Sequence, residues 1–204
     1  MRFIVFIISG LLLGACSSIQ YKPDFKENSP KQQASWQEHQ TRISQQQNNW
    51  RFTGRFGAST QDDAWSGSIW WQQKNEDYNI ELAGPLSQGT IRLQGDNEHS
   101  ELQIAEDSSY SDGDAESLLQ RYTGWSLPFS GLRYWVLGLP QPLGEKQHIT
   151  LDEQGRIASI RQPHWHIQFQ RYHKTGELQL PRKIVLQNEE VKIRLVFDQW
   201  NFNG

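Results

Sequence analysis

The chain has 204 residues, of which 20 are Lys or Arg and 23 are Asp or Glu, so its formal net charge at pH 7 is −3. Because no basic patch stands out, nucleic acid is not expected as a partner. A single cysteine leaves no pair for a disulfide. Nine Trp, six Tyr and nine Phe are many for this length. They favour either an apolar cavity with aromatic walls or a core filled by large side chains, and composition does not decide between the two.

Residues 1–15 have the pattern of a bacterial lipoprotein signal. Arg2 precedes an apolar run that is too short to span a bilayer comfortably, and small residues come directly before Cys16. This pattern resembles a lipobox, which implies that the thiol of Cys16 is alkylated with diacylglycerol and that the chain is cut before it. In signals of this class an Asp after the cysteine usually marks retention in the inner membrane, so the resemblance implies that Ser17 favours the outer membrane. The alternative is an ordinary secretory signal followed by a chance cysteine.

The residues after the signal predict a tether and then one folded domain. Residues 16–29 are polar and show no periodicity, which is typical of a flexible linker. Ser29 and Pro30 form a typical helix start, and the helix is predicted over 31–47. We therefore divide the chain into a cleaved signal at 1–15, a tether at 16–29 and a domain at 30–204.

From Trp50 the hydrophobic period changes to two, which indicates β-strands. Alternation predicts strands from Trp50 to Ala58 and from Trp65 to Gln73, and shorter ones at Tyr78–Leu82, Ile91–Leu93, Leu102–Ile104 and Tyr110. Helical spacing then predicts two helices within 114–137. Five more strands are predicted at 147–152, 156–161, 164–173, 182–187 and 191–200. About eleven antiparallel strands with helices over one end predict a mainly β barrel or strongly curled sheet.

No motif in the chain marks a catalytic or metal centre. There is no Gly-rich phosphate loop, no Gly-x-Ser-x-Gly elbow and no thiol other than Cys16. His164 and His166 alternate on one strand face, but they share it with Gln168 and Gln170, which is typical of a solvated surface. Carboxylates are scattered. The sequence therefore predicts no enzyme, no cofactor and no metal, and an envelope hydrolase is the weakest alternative.

The loop between the strands at Leu82 and Ile91 has an unusual apolar tip. Leu86 follows Pro85 at the tip, where polar residues are normal. Leu86 either folds back onto the body, stays singly exposed without a role, or forms a protruding apolar finger that contacts lipid.

Several segments together resemble the LolB family, whose members are outer-membrane receptors that take lipoproteins from a periplasmic carrier. The resemblance covers roughly residues 34–200. It is carried by the lipobox at Cys16, by Gly84-Pro85-Leu86, by the run from Ser130 to Pro140, by Leu180-Pro181 and by the final amphipathic strand to Trp200.

The resemblance implies a fold and a function. The fold is an unclosed antiparallel β-barrel of about eleven strands with helices lidding an apolar cavity. The function is to receive acyl chains of lipoproteins from a carrier of the LolA type and to deliver them passively into the outer membrane's inner leaflet. The expected protein is a monomer that faces the periplasm of a Gram-negative bacterium. The membrane-insertion loop falls on Pro85 and Leu86. The cavity or lid candidates are Trp36, Trp50, Phe52, Ile69, Trp71, Leu132, Trp135 and Phe169.

The physics of lipid transfer agrees with this expectation. A sixteen-carbon chain represents about 12 kcal/mol of apolar transfer free energy at ~0.8 kcal/mol per methylene, so it must be shielded from water. Without a nucleotide site, transfer has to run downhill from carrier to receptor to bilayer. The alternative within this fold class is a lipocalin-like barrel that binds a free hydrophobic ligand.

Overall fold

The computed structural model describes residues 28–84, 89–104, 108–124, 127–142, 147–162 and 164–202. The helices are α1 (Pro30–Ser44), α2 (Ala115–Thr123) and α3 (Phe129–Trp135). The strands are β1 (Asn49–Ser59), β2 (Ala64–Lys74), β3 (Asp77–Ala83), β4 (Thr90–Gly95), β5 (Ser100–Ile104), β6 (Ser109–Asp112), β7 (His148–Leu151), β8 (Ile157–Gln162), β9 (Trp165–Thr175), β10 (Leu178–Gln187) and β11 (Lys192–Asn201).

All eleven strands form one antiparallel sheet in the order β6-β5-β4-β3-β2-β1-β11-β10-β9-β8-β7. The chain meanders from β1 to β6, crosses through α2 and α3, and returns from β7 until β11 pairs with β1. Within the described residues β6 and β7 are edge strands, so the barrel is not closed. The predicted fold class, a mainly β unclosed antiparallel barrel of about eleven strands with helices, is confirmed.

Period-two alternation accounts for the strands. In β1 the side chains of Trp50 and Phe52 are buried, whereas Arg51 and Thr53 are exposed. Position 67 in β2 requires glycine, because the Cβ of any other residue there would collide with the backbone carbonyl of Ala83. The sheet can therefore pair closely where β2 meets β3.

Most strand boundaries differ from the prediction by one or two residues, and larger differences occur in β10 and α1. Strand β10 begins at Leu178 rather than at residue 182, because it continues through the buried Pro181 opposite Tyr172. The ladder is irregular beside this point, where Arg171 has φ of 58°. Helix α1 ends at Ser44, three residues before the predicted end, and a turn then leads into β1.

Both edges of the sheet are covered by the chain itself. The side chain of Asn28 donates to the carbonyl of Ile149 and accepts from the amide of Leu151, both at 2.8 Å. Gln32 Nε2 donates to the carbonyl of Asp152 at 2.9 Å. At the other edge α2 packs on β5 and β6. Covered edges are protected from pairing with another chain.

Aromatic side chains fill the middle of the barrel. The ring centroids of Trp50 and Trp71 are 5.3 Å apart, and those of Phe52 and Phe197 are 4.9 Å apart. Trp200 packs 5.0 Å from Phe52. This part of the interior is therefore a core filled by large side chains, which is one of the two alternatives that the composition left open. An apolar pocket lies beside it.

Candidate functional site

A small apolar pocket lies between the sheet and α3. Its volume is about 30 Å³, room for about one water molecule. Strands β1, β2, β3 and β11 form its walls, and α3 with the residue before it, Leu127, forms its cover. The residues that line it are Phe56, Ala58, Ile69, Trp71, Ile80, Leu82, Leu127, Phe129, Leu132, Ile193 and Leu195. Because every lining side chain is apolar, the pocket offers a buried water no partner and suits hydrocarbon.

A larger open cleft of about 560 Å³ lies next to the pocket. The β2–β3 turn, the β4–β5 turn and the starts of α2 and α3 surround it, and four carboxylates line it. Each carboxylate accepts hydrogen bonds. Asp96 accepts from the amides of Glu98 and His99. Glu76 accepts from Arg133, Asp114 accepts from the amides in the first turn of α2, and Glu116 accepts from Ser130.

Trp71 and Phe129 line both the pocket and the cleft. Their ring centroids are 5.8 Å apart with an interplanar angle of 59°. Two aromatic side chains therefore form the partition between an open polar cleft and a small apolar pocket. Trp71 belongs to the central strand β2, whereas Phe129 is the first residue of the short helix α3.

Helix α3 is held in place mainly by side chains. The guanidinium of Arg133 donates to Glu76 Oε2 at 2.6 Å, and it also donates to the carbonyl of Asn75 at 3.3 Å. Ser130 donates to Glu116 Oε1 through its amide and its hydroxyl, at 2.9 and 2.8 Å. The hydrogen bond from Arg133 is the main cause that lowers the pKa of Glu76.

The N-terminus of α3 has no side-chain hydrogen bond to its first amides, since Pro128 occupies the N-cap position. A helix of seven residues without a side-chain cap has little stability of its own. Its position therefore depends on the Glu76 ion pair, the Glu116 bonds and the burial of its apolar side chains, which is nearly complete at Leu132 and Trp135 and partial at Phe129.

The predicted cavity and lid residues fall into two groups. Ile69, Trp71 and Leu132 line the pocket. The other five lie elsewhere. Trp50 and Phe52 belong to the aromatic core and Trp36 lies on α1. Trp135 is the buried last residue of the covering helix α3 and packs against Trp165, and Phe169 is buried on β9.

Sequence reasoning did not single out Phe129, which separates the two spaces. A signal was present, because Phe129 and Leu132 have the i, i+3 spacing that places two side chains on one helix face. Helical spacing after Pro128 would have identified the pair.

Three predicted residues lie outside the described residues: the anchor Cys16 and the loop residues Pro85 and Leu86. The base of the loop is described. Ala83 pairs with Thr90, and the amide of Gly84 donates to the carbonyl of Gly89 at 3.2 Å. The membrane-insertion loop stays a prediction.

The described histidines and helices bear on whether the chain has a metal site or a membrane-spanning helix. His164 precedes β9 with φ of 65°, and burial together with Arg161 lowers the pKa of His166. No group of three or more His, Cys, Asp or Glu in this part of the chain could hold a metal ion. None of the described helices is long and apolar enough to cross a membrane.

Fold and site together define a class of protein, an open β-barrel with an apolar pocket beneath a short helix. The family model for outer membrane lipoprotein LolB matches residues 48–200, and this chain belongs to the LolB family. Two relatives named outer-membrane lipoprotein LolB are similar over nearly the whole chain. The protein of Pseudomonas syringae pv. syringae is 34% identical over 97% of this chain and 94% of its own length, and that of Nitrosococcus oceani is 33% identical over 98% and 96%.

A solved structure shows the same fold at low sequence identity. It is a putative outer membrane lipoprotein-sorting protein domain from Vibrio parahaemolyticus, with a TM-score of 0.53 and 7% identity. The match covers 80% of this chain and 90% of that one.

Proposed function

We propose that this chain is an outer-membrane lipoprotein that receives lipoproteins from a periplasmic carrier of the LolA type and inserts them into the outer membrane. The observation that carries the proposal is the all-apolar pocket, separated from an open cleft by Trp71 and Phe129. Family membership supports the same role. The cleft is the entrance for acyl chains, and the pocket is where they begin to be shielded from water.

The closed pocket of about 30 Å³ is too small for an acyl chain, so acceptance requires α3 to move. The energetics favour such an exchange. Cargo methylenes replace the contacts that Phe129 and Leu132 make with the sheet, and each methylene buried contributes about 0.8 kcal/mol. Acyl chains then supply the free energy that opens their own site, and no nucleotide is needed.

Delivery requires that the receptor stay close to the bilayer and direct the cargo into it. We assign the anchor to Cys16 after cleavage of residues 1–15, with residues 16–29 as the tether and 30–204 as the receptor domain. Leu86, next to Pro85, is assigned as the apolar residue that contacts the inner leaflet of the outer membrane during release. The body faces the periplasm as a monomer and acts as a transport protein, not as an enzyme.

The experiment separates acceptance from insertion. A lipoprotein-loaded carrier is mixed with the receptor in solution, and the complex is then presented to membranes. Leu86→Glu is expected to accept cargo as the parent chain does and to leave it outside the membrane, while Leu86→Met should deliver normally because it keeps the tip apolar. Normal insertion of cargo by Leu86→Glu would show that the loop is not needed for delivery into the membrane.

The same assay tests the proposed function as a whole. A receptor takes lipoprotein from the carrier. A lipocalin-like protein would bind free fatty acid and leave the loaded carrier unchanged, and that result would overturn the proposal.

A further inference from the structure

The sheet divides into two halves of opposite charge. Strands β1 and β8–β11 contain nine Lys or Arg and one acidic residue, Asp198, whereas β2–β6 contain two basic and four acidic residues. The whole chain carries a net charge of −3, so this basic excess is a local feature. We call the outward side of β1 and β8–β11 the basic face. The nine basic residues of these strands are Arg51, Arg55, Arg161, Arg171, Lys174, Arg182, Lys183, Lys192 and Arg194.

The register brings the central charges together. Lys192 pairs with Gln187, Arg194 pairs with Val185, and Lys183 is two residues from Val185 on the same side of β10. Lys183 is therefore a diagonal neighbour of Arg194, and such neighbours lie about 7–8 Å apart. Among the described residues, Lys183, Lys192 and Arg194 form no ion pair.

Like charges this close repel each other, and the nearest acidic residues of the hairpin, Glu189 and Glu190, lie in the turn at its end and not among these strand positions. Asp198 pairs with Arg55 at 3.2 Å and does not reach the centre of the face. An anion that contacts the face would relieve this repulsion. The cluster is therefore complementary to negative charge outside the chain.

The shape of the face indicates an extended partner. The five strands lie about 4.8 Å apart, so the charges are spread over about 19 Å. The exposed neutral neighbours Gln168, Gln170 and Gln187 add hydrogen-bonding groups. The outward positions between the charges hold no Trp, Tyr or Phe, although such residues anchor most protein–protein interfaces.

We propose that the basic face docks the body onto anionic phospholipid headgroups of the membrane to which this lipoprotein is attached. A bilayer offers many phosphates over such an area, and Lys and Arg bind phosphate without needing an apolar anchor. The inference concerns a surface that is separate from the cleft and the pocket. It rests on the charges and on membership in an outer-membrane lipoprotein family, not on the transfer of cargo.

The test uses the full mature chain in vesicles, since the acylated Cys16 leaves no other thiol. A fluorescent label is placed at Gln187→Cys on the basic face, and a matched label at Gln94→Cys on β4. Quenching by nitroxide-bearing headgroups is measured in phosphatidylcholine vesicles and in vesicles with about one-third phosphatidylglycerol. We expect strong quenching at residue 187 with the anionic lipid, little at residue 94, and loss of the difference at high salt.

Charge reversal provides the second arm. Each Lys or Arg near an anionic membrane strengthens binding about fivefold, so Lys183→Glu/Lys192→Glu/Arg194→Glu should weaken docking by about 100-fold or more. Lys31→Glu/Arg42→Glu/Lys74→Glu makes the same change in net charge elsewhere and should dock normally. A triple Gln variant and circular dichroism melting identify any loss of folding, and the Gln variant should also lose docking.

Three results would overturn the proposal. The first is equal quenching at both labels. The second is quenching at residue 187 that does not change with salt or charge reversal. The third is a label at residue 187 that is shielded by an acidic carrier protein and not by anionic lipid. Cargo acceptance in solution is measured without membranes, so failure of the docking proposal and failure of the proposed function are distinguishable.

Discussion

Each of the three fully buried tryptophans donates its indole N–H to a nearby acceptor. Trp50 donates to the carbonyl of Gln47 at 2.9 Å, Trp71 to the side chain of Gln73 at 3.2 Å and Trp135 to the side chain of Gln162 at 2.6 Å. Full burial of indole is uncommon because this polar group must be satisfied. The chain therefore keeps two buried glutamines that an apolar core would otherwise exclude.

The bond from Trp135 gives a stability prediction. Gln162→Leu leaves a buried indole N–H without its acceptor, so the free energy of unfolding should fall by about 1–3 kcal/mol in urea denaturation. Gln168→Leu on the exposed side of β9 is the matched control and should change stability by less than about 0.5 kcal/mol. Equal effects of the two substitutions would contradict this account of Trp135.

His39 on α1 gives a pH prediction. Its pKa is lowered first by burial and second by Arg42, with Arg156 acting in the same direction, while Asp152 and a hydrogen bond with the backbone of Gln179 oppose them. The unfolded chain binds a proton at about pH 6.5, and folded His39 binds one only at lower pH. Protons therefore favour unfolding, and stability is lost as pH falls from about 6.5 toward the folded pKa.

Urea denaturation between pH 7 and pH 5 measures this effect. His39→Gln should flatten the loss of stability with falling pH, and some slope should remain because burial also lowers the pKa of His166 and His173. His99→Gln changes an exposed histidine in the β4–β5 turn and serves as the surface control for the substitution itself. A parent slope in His39→Gln would show that His39 is not a source of the acid sensitivity.

At the scale of elements, α3 is the part whose movement the function requires. Glu76→Gln removes the charge that Arg133 contacts at 2.6 Å. A partly exposed pair contributes up to about 1 kcal/mol, so overall stability should change little, while a fluorescent fatty acid should enter about two- to fivefold faster. The measurement is the stopped-flow rate of probe uptake.

The control for this prediction is Glu81→Gln, which breaks a similar ion pair with Arg92 between β3 and β4, at 2.8 Å. That pair does not contact α3, so uptake should keep the parent rate. If both variants take up the probe equally fast, the pair at α3 does not hold the cover closed.

The elements themselves could largely be predicted from sequence, because alternation and caps are local. The alternation from Trp50 to Ala58 predicted β1 to within one residue at each end, and Asp114 correctly predicted the start of α2. Strand β10 was predicted too short because proline is usually absent from the interior of a strand. It is accommodated here beside the irregular backbone of Arg171 on β9, and this pairing cannot be read from the local sequence of β10. The partition formed by Trp71 and Phe129 joins two residues far apart in sequence, so no local pattern contains it.

At the scale of the whole molecule, composition concealed the basic face. Net charge averages over the chain, and the basic residues are divided between β1 and the four strands β8–β11, which follow much later in the sequence. The pairing of β1 with β11 brings Arg51 and Arg55 next to the charges of β11 and β10. Sequence analysis found no basic patch because the residues become neighbours only when the strands pair.

Helix α1 belongs to the folded body, although the family match begins at residue 48. Ile43 is fully buried, and the side chain of Asn28 bonds to the edge strand β7. A chain that begins at residue 28 keeps every described helix and strand, so it should unfold with the free energy of the mature chain. A chain that begins at residue 48 loses the burial of Ile43 and the Asn28 bonds, which together are worth about 3 kcal/mol or more.

The shorter chain also uncovers the edge of β7, which offers unpaired backbone groups to other molecules. We therefore expect it to be less stable in urea and to elute as oligomers in size-exclusion chromatography, whereas the chain from residue 28 stays monomeric. Asn28→Ala isolates the contribution of the edge and should lie between the two chains, with Asn48→Ala as the exposed control. A monomeric chain from residue 48 with full stability would show that the barrel is complete without α1, and the tether would then extend to the first strand.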